Sequence, residues 1–336
     1  MSKETEEWLN TKCLIGFTNK RGRAWHYRES AQGVEPNHYP EGIPIADVQR
    51  RLFSWEPLEE PIYVFNKGLN SGYRPVPNQK AIVASDNGDV LGIFKDGYTP
   101  HRYDEWLLEN ISAILDDDEL GIGAALLLRN RGVAVVQVEV PDYFTTRDGV
   151  QFRPNLVAAT SLDGSLSTTY KRTITDTVCD NTTEIALAEE GQQVKIKHSR
   201  YSGLRIGEAR EALELIYDSA DAFTAEVEKL CAEVVTDAQW LKVLDSLVAV
   251  PEEKGRAQTT ALNKRHTLNN LWLSDPRVEP WKNSAWGVHQ AFNTWGQHYA
   301  VVKGAHRAER NFDNVLSGKT AAGDNLVLRT LEAVLA

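Results

Sequence analysis

Apolar and polar positions alternate along much of the chain up to about residue 200 and then recur every three or four residues. Alternation marks strands and the longer period marks helices, because side chains repeat every 2 residues on a strand and every 3.6 on a helix. Residues 80–86 and 89–94 alternate around Asn87-Gly88, a dipeptide suited to a tight hairpin. Residues 124–129 and 133–140 repeat the pattern around Asn130-Arg131-Gly132, with Val136, Val138 and Val140 as the inward face. Residues 155–162 and 165–178 form a third pair, closed by Asp163-Gly164, and 194–198 a further short strand. Turns this short cannot carry parallel crossovers. Between the first two pairs, Thr99-Pro100 opens a helix as cap and first residue, with Trp106, Leu107, Ile111, Ile114 and Leu115 as its stripe. The acidic run Asp116–Glu119 is unfavourable at its C-terminal end.

From Arg205 the period changes. Ile206, Ala209, Leu213, Ile216, Ala220, Phe223, Val227, Leu230 and Val234 keep a 3-4 spacing over about four heptads. The seam suits packing within the domain, or an interface between copies of the chain. Further helices are expected near 237–248, 258–273, 284–302 and 325–335. The fold class that follows is α+β: an antiparallel sheet built from hairpins with a packed helix, then an all-helical C-terminal region. Three segments are expected: an extended arm over 1–60 with one short helix near 46–53, a β-rich core over 61–204, and a helical region over 205–336.

Composition narrows the classes. The 336 residues are 42% hydrophobic and 25% charged, enough apolar content for a sizeable core. No apolar run reaches the roughly 18 residues of a spanning helix, and the first residues are polar and acidic, unlike a secretory leader. No membrane association is expected. Three scattered cysteines, Cys13, Cys179 and Cys231, argue against a disulfide scaffold and point to a reducing cytoplasm. A net charge of −10 excludes a wholly basic coat but leaves room for a local basic face.

Catalytic signals are weak. There is no phosphate-binding loop and no nucleophile elbow. Gly121-Ile122-Gly123 lacks the third glycine of a dinucleotide fingerprint, and His289 and His298 fall on opposite faces of one helix, so they cannot share a metal. No catalytic residue, cofactor or metal is expected, and whether the protein is an enzyme stays open, leaning against.

The cationic clusters carry more. Lys20, Arg21 and Arg23 precede Trp25 and Tyr27, which interleaves phosphate-binding charges with rings on which unpaired bases stack. The plain alternative is a basic turn leading to a strand whose rings face the core. On the strand 165–178, Lys171 shares a face with a ladder of hydroxyls and Arg172 follows it. That face could track a phosphate backbone, or simply be solvated. Lys195, Lys197 and Arg200 form a third cluster without an acid between them.

The segment Thr177-Val178-Cys179-Asp180-Asn181-Thr182 resembles the Val-Cys-x-Asn-Thr core of the phage/plasmid-like protein family, a domain of unknown function (932). Val90-Leu91-Gly92 with Tyr98-Thr99-Pro100 agrees, as do Phe152–Leu156 through Ser165, Lys197-His198-Ser199, Ala285-Trp286-Gly287 and Arg307–Arg310. The block from Cys13 to Phe17 and Trp25 to Tyr27 is similar to the actinobacteriophage branch. The resemblance implies a mobile-element protein in a bacterial cytoplasm and supplies no catalytic residues. Cys179, Asn181 and Thr182 are expected to be a structural signature, with Asn181 and Thr182 as turn or cap residues at the start of a helix. The leading expectation is an oligomer that binds or anneals single-stranded nucleic acid in recombination or replication. The alternative is a module that binds a host protein and counteracts restriction or immunity.

Overall fold

The computed structural model describes residues 9–23, 27–68, 72–112, 120–139, 143–176, 181–183, 193–199, 222–303 and 307–336. Its strands are β1 (Cys13–Ile15), β2 (Pro57–Asn66), β3 (Gly72–Ala84), β4 (Val90–Lys95), β5 (Gly121–Leu128), β6 (Val133–Glu139), β7 (Phe144–Thr145), β8 (Gln151–Ser161), β9 (Thr168–Asp176), β10 (Asn181–Thr183) and β11 (Gln193–Ile196). The chain divides into two units. The first comprises Met1–Asp142, Asn155–Arg172 and Gly191–Ile216. The second comprises Tyr143–Pro154, Thr173–Glu190 and Tyr217–Ala336. The α+β class holds: every ladder between named strands is antiparallel, and the later part of the chain is helical.

In the first unit the order is β1-β5-β6-β8-β9, with β11 on β9. All three expected hairpins form, but their turns differ from a two-residue loop. Between β3 and β4 only Gly88 turns left-handed (φ 77°), and its amide reaches back to the Ala84 carbonyl at 2.9 Å. Between β5 and β6, Arg129, Asn130 and Arg131 all take positive φ. That strained run is held from outside. Arg131 pairs with Asp86 at 2.9 Å, lies over the Trp55 ring, and accepts a hydrogen bond on its carbonyl from the Tyr103 hydroxyl at 2.7 Å.

Helices α1 (Ile45–Leu52) and α2 pack on this sheet through Val48, Leu52, Leu107 and Ile111, against Ile122, Ala125, Val136, Val138 and Leu156. Helix α2 is π-wound over Asp104–Glu109 and α-helical over Asn110–Ser112, so it starts after Thr99-Pro100 rather than on them. Ile114, Leu115 and the run Asp116–Glu119 lie outside the described residues. The opposite set on the strands, including Val133, Val135, Leu126 and Val157, is buried too. Residues 1–60 are more than an arm: β1 pairs with β5, and Ile15 bridges to His38.

The second unit carries β7, β10 and the later helices: α3 (residues 222–232), α4 (Asp237–Leu247), α5 (Arg256–Ser274), α6 (Ala285–Thr294), α7 (Arg307–Leu316) and α8 (Lys319–Leu335). Thr236 caps α4 through a box with Gln239, and Ser284 caps α6 by accepting from the Gly287 amide at 3.1 Å. The core gathers Phe223, Val227, Trp240, Trp272, Trp286 and Leu331. Trp240 and Trp272 stack at 4.9 Å, and their indole N–H groups donate to Asn269 and Asp237. The described part of the heptad seam, Phe223, Val227 and Leu230, packs inside this unit. Val234 lies past the end of α3 and is exposed. The seam before residue 222 is outside the described residues.

Candidate functional site

Strands β2 and β3 form a two-stranded ribbon whose outer half has water on both faces. Their register pairs Phe65 with Tyr73 and Tyr63 with Pro75, which places Tyr63, Phe65 and Tyr73 on one face. These rings are 55%, 54% and 75% exposed, although aromatic residues are among the most strongly driven into cores. Phe65 and Tyr73 meet edge to face at 5.3 Å. Tyr63 and Phe65 sit about 6.6 Å apart along the strand, from a rise near 3.3 Å per residue. Lys67 and Arg74 are exposed on the same outer half, and no acidic residue occurs between Pro61 and Lys80. Pro75 and Pro77 fit here because β3 has β4 as a second neighbour only from Gln79 to Val83, so their missing N–H groups leave no gap in a ladder.

The ribbon's base is tied down by a column of five flat rings. Phe94 on β4 stacks on Tyr98 (3.8 Å, 8°), Tyr98 on His198 (5.1 Å, 10°), His198 on His101 (4.0 Å, 16°), and His101 on Trp106 (3.7 Å, 8°). A hydrogen-bonded chain runs beside it, from His101 Nδ1 to Thr168 Oγ1 (2.6 Å), on to Thr160 Oγ1 (2.7 Å), and to His198 Nε2 (3.2 Å). The chain is satisfied in either direction, with His101 Nδ1–H donating to Thr168, Thr168 to Thr160 and Thr160 to His198, or each bond reversed, and in both cases each ring carries one proton. Both imidazoles are then neutral. Burial pushes His101 down to about 3, helped by the neighbouring His198, and pushes His198 down to about 4 against an opposing backbone contact with Thr99. Because Phe94 pairs with Lys80 of β3, the column sets where the ribbon leaves the unit. Lys195 and Lys197, both exposed, lie on or just past β11, so the lysine beside His198 sits two ring steps from the ribbon's base.

The remaining residues expected to bind nucleic acid fare differently. Lys20 and Arg23 are exposed, and Lys20 and Arg21 close a single helical turn, Thr18–Arg21. Tyr27 is not on a strand and is half-buried. Arg23 lies over its face at 4.5 Å, and His38 meets it edge to face at 4.6 Å. Its free stacking surface is therefore small. Lys171 is 8% exposed, and Thr169 and Thr173 beside it are buried, so the open face expected on β9 is not presented to solvent. The reason is that this sheet is covered on both faces, unlike an antiparallel sheet with one solvated side. Arg172 lies on β9. Trp25, Cys179 and Arg200 are outside the described residues. Asn181 and Thr182 belong to strand β10, paired with Asp176 and Thr175, rather than to a turn that caps a helix. Gly123 sits at a bulge in β5, where a side chain would strike the carboxyl of the buried Glu139 at 1.7 Å. Close packing explains this glycine without a dinucleotide.

A second polar centre lies in the helical unit. His289, Gln290, Asn293 and Thr294 on α6 and Asp324 on α8 are all buried, with His289 Nε2 3.2 Å from Asp324 Oδ1. Helices α6 and α8 both contact β10, the strand that begins two residues after Cys179. Among the described residues, no group of three or more His, Cys, Asp or Glu could hold a metal ion.

A family model described as a domain of unknown function, DUF932, matches residues 90–316. The chain belongs to that family. No curated protein and no solved structure matches it. The matched stretch takes in the ring column and α6, whereas the outer ribbon precedes it. Segments singled out by resemblance converge on the column: Tyr98-Thr99-Pro100 supplies Tyr98, the stretch Phe152–Ser165 supplies Thr160, and Lys197-His198-Ser199 supplies His198. Among the described residues, no helix is long and apolar enough to cross a membrane.

The ribbon was hard to find in the sequence because Pro61, Pro75 and Pro77 interrupt it. The usable signal was Ile62-Tyr63-Val64-Phe65 facing Tyr73 across a turn-rich stretch, Asn66–Gly72.

Proposed function

We propose that the protein binds single-stranded nucleic acid on the outer half of the β2–β3 ribbon, as an oligomeric phage-type protein acting in recombination or replication in a bacterial cytoplasm. The observation that carries this reading is the face of three exposed rings, Tyr63, Phe65 and Tyr73, on a ribbon that carries Lys67 just past β2 and Arg74 on its opposite face, with no acid between Pro61 and Lys80. Unpaired bases stack on such rings for about 1–3 kcal/mol each regardless of sequence, and the two cations neutralise phosphates. Lys195 and Lys197 extend the cationic edge past the ribbon's base. Buried Lys171 has no part in it.

The test is fluorescence anisotropy with a labelled oligothymidylate at several salt concentrations. Binding should weaken with salt at a slope of about −1.4 in log–log form for two phosphate contacts. Tyr73→Ala should weaken it by roughly fivefold or more, with the circular dichroism unchanged, because the ring is already in water. Salt-independent binding, or equal affinity for the wild type and the Tyr63→Ala/Tyr73→Ala variant, would remove the ribbon as the site.

A further inference from the structure

A groove of ≈ 340 Å³ in the helical unit opens between α3 and α8, with Ala285 at its base. Its floor is apolar: Leu230 comes from α3, and Leu328, Leu331 and Leu335 from α8. The three leucines of α8 follow the i, i+3, i+7 spacing of a helix face that receives another helix. Its rim is acidic. Glu226 and Glu233 stand on one side and Glu332 on the other. Among the described residues lining it, the one cation, Lys229, is 3.5 Å from Glu226. Glu233 and Glu332 are exposed and make no ion pair among the described residues.

We propose that this groove docks a cationic amphipathic helix of another protein, with two or three apolar side chains on the leucine floor and Lys or Arg over Glu233 and Glu332. The occupant follows from charge complementarity. An apolar floor alone would accept any hydrophobic helix, but two unpaired carboxylates repel an acidic one and select a basic one. Helix-in-groove recognition through anchors at i, i+3, i+4 and i+7 supplies the affinity, and the rim supplies selectivity and on-rate. The proposal is independent of the nucleic-acid reading, because every residue it uses lies in the other unit.

The experiment uses the full chain and a labelled helical peptide with Leu at heptad a and d positions and Lys elsewhere, beside a counterpart with Glu for Lys. Anisotropy should show binding of the Lys peptide and none of the Glu peptide. Glu233→Lys/Glu332→Lys should weaken the Lys peptide at least tenfold. Glu252→Lys/Glu253→Lys changes the net charge equally at exposed positions away from the groove, and should change it less than twofold. Leu328→Arg fills the groove and should abolish binding while the helical circular dichroism stays intact. Equal losses in the two charge-reversed variants would mean attraction to net charge alone and would overturn the proposal. So would full binding by Leu328→Arg, or no binding of the Lys peptide to the wild type.

Discussion

Acid should destabilise this protein through two histidines that never meet a carboxylate. An ordinary histidine titrates near 6.5, whereas burial holds His101 near 3 and His198 near 4 in the folded chain. Between those values the unfolded chain takes up protons that the folded chain refuses, so stability falls with pH. The loss begins as pH drops through about 6.5, grows by up to about 1.4 kcal/mol per unit for each histidine, and levels off below about 4 for His198 and about 3 for His101. At pH 5 each histidine costs at most about 2 kcal/mol, less for His198 because its ring is only partly covered. The geometry explains the refusal. The hydroxyl chain needs only one proton from each ring, the buried His101 Nε2 has no hydrogen-bond partner for a second, and His101 is stacked between His198 and Trp106. Urea unfolding, followed by tryptophan fluorescence at pH 7.5 and 5.0, measures this for the wild type, His101→Asn and His198→Gln. The amides keep a polar atom near Nδ1 or Nε2 but do not titrate. Subtracting each variant's pH-dependent loss from that of the wild type cancels every other titrating group. The difference should be roughly 1–2 kcal/mol per histidine. A wild type and variants that lose the same stability between the two pH values would refute the neutral, proton-refusing column.

Three further outcomes follow from close contacts elsewhere. Gly287→Ala should destabilise the helical unit by more than about 2 kcal/mol in thermal unfolding, since a Cβ there would lie 2.2 Å from the Trp281 carbonyl oxygen, which is backbone and cannot swing away. Thr236→Ala should cost about 1 kcal/mol by removing the capping box of α4, with Thr236→Ser restoring most of it. Cys13 and Cys231 should resist iodoacetamide in the native protein at pH 8, because burial pushes both thiols up to about 12; peptide mapping after native and denatured labelling reads this directly.

Local chemistry wrote the hairpins. Asn87-Gly88, Asn130-Arg131-Gly132 and Asp163-Gly164 mark the turns of β3–β4, β5–β6 and β8–β9 because reversing an antiparallel chain needs residues that tolerate left-handed backbone. The helices α4, α5, α6 and α8 were legible from the recurrence of apolar residues at helical spacing, whereas their caps, Thr236 and Ser284, came to light only in the structure. Helix α7 was not foreseen, although Phe312, Val315 and Leu316 recur at helical spacing.

What the sequence by itself determined is therefore the α+β class, the antiparallel pairing, the helical second part and the family. The tertiary structure decided which side chains meet water, and that choice is non-local. Lys171 and the hydroxyls beside it read as a solvated ladder but lie in a sheet buried on both faces. Tyr63, Phe65 and Tyr73 are of the type that burial favours, yet they stand in water, because no strand or helix among the described residues covers the outer ribbon. His101 and His198 are 97 positions apart in the chain. They stack only because β4, α2 and β11 converge at the β8–β9 turn. A sequence records which residues could be buried, whereas the packing of distant elements decides which of them are.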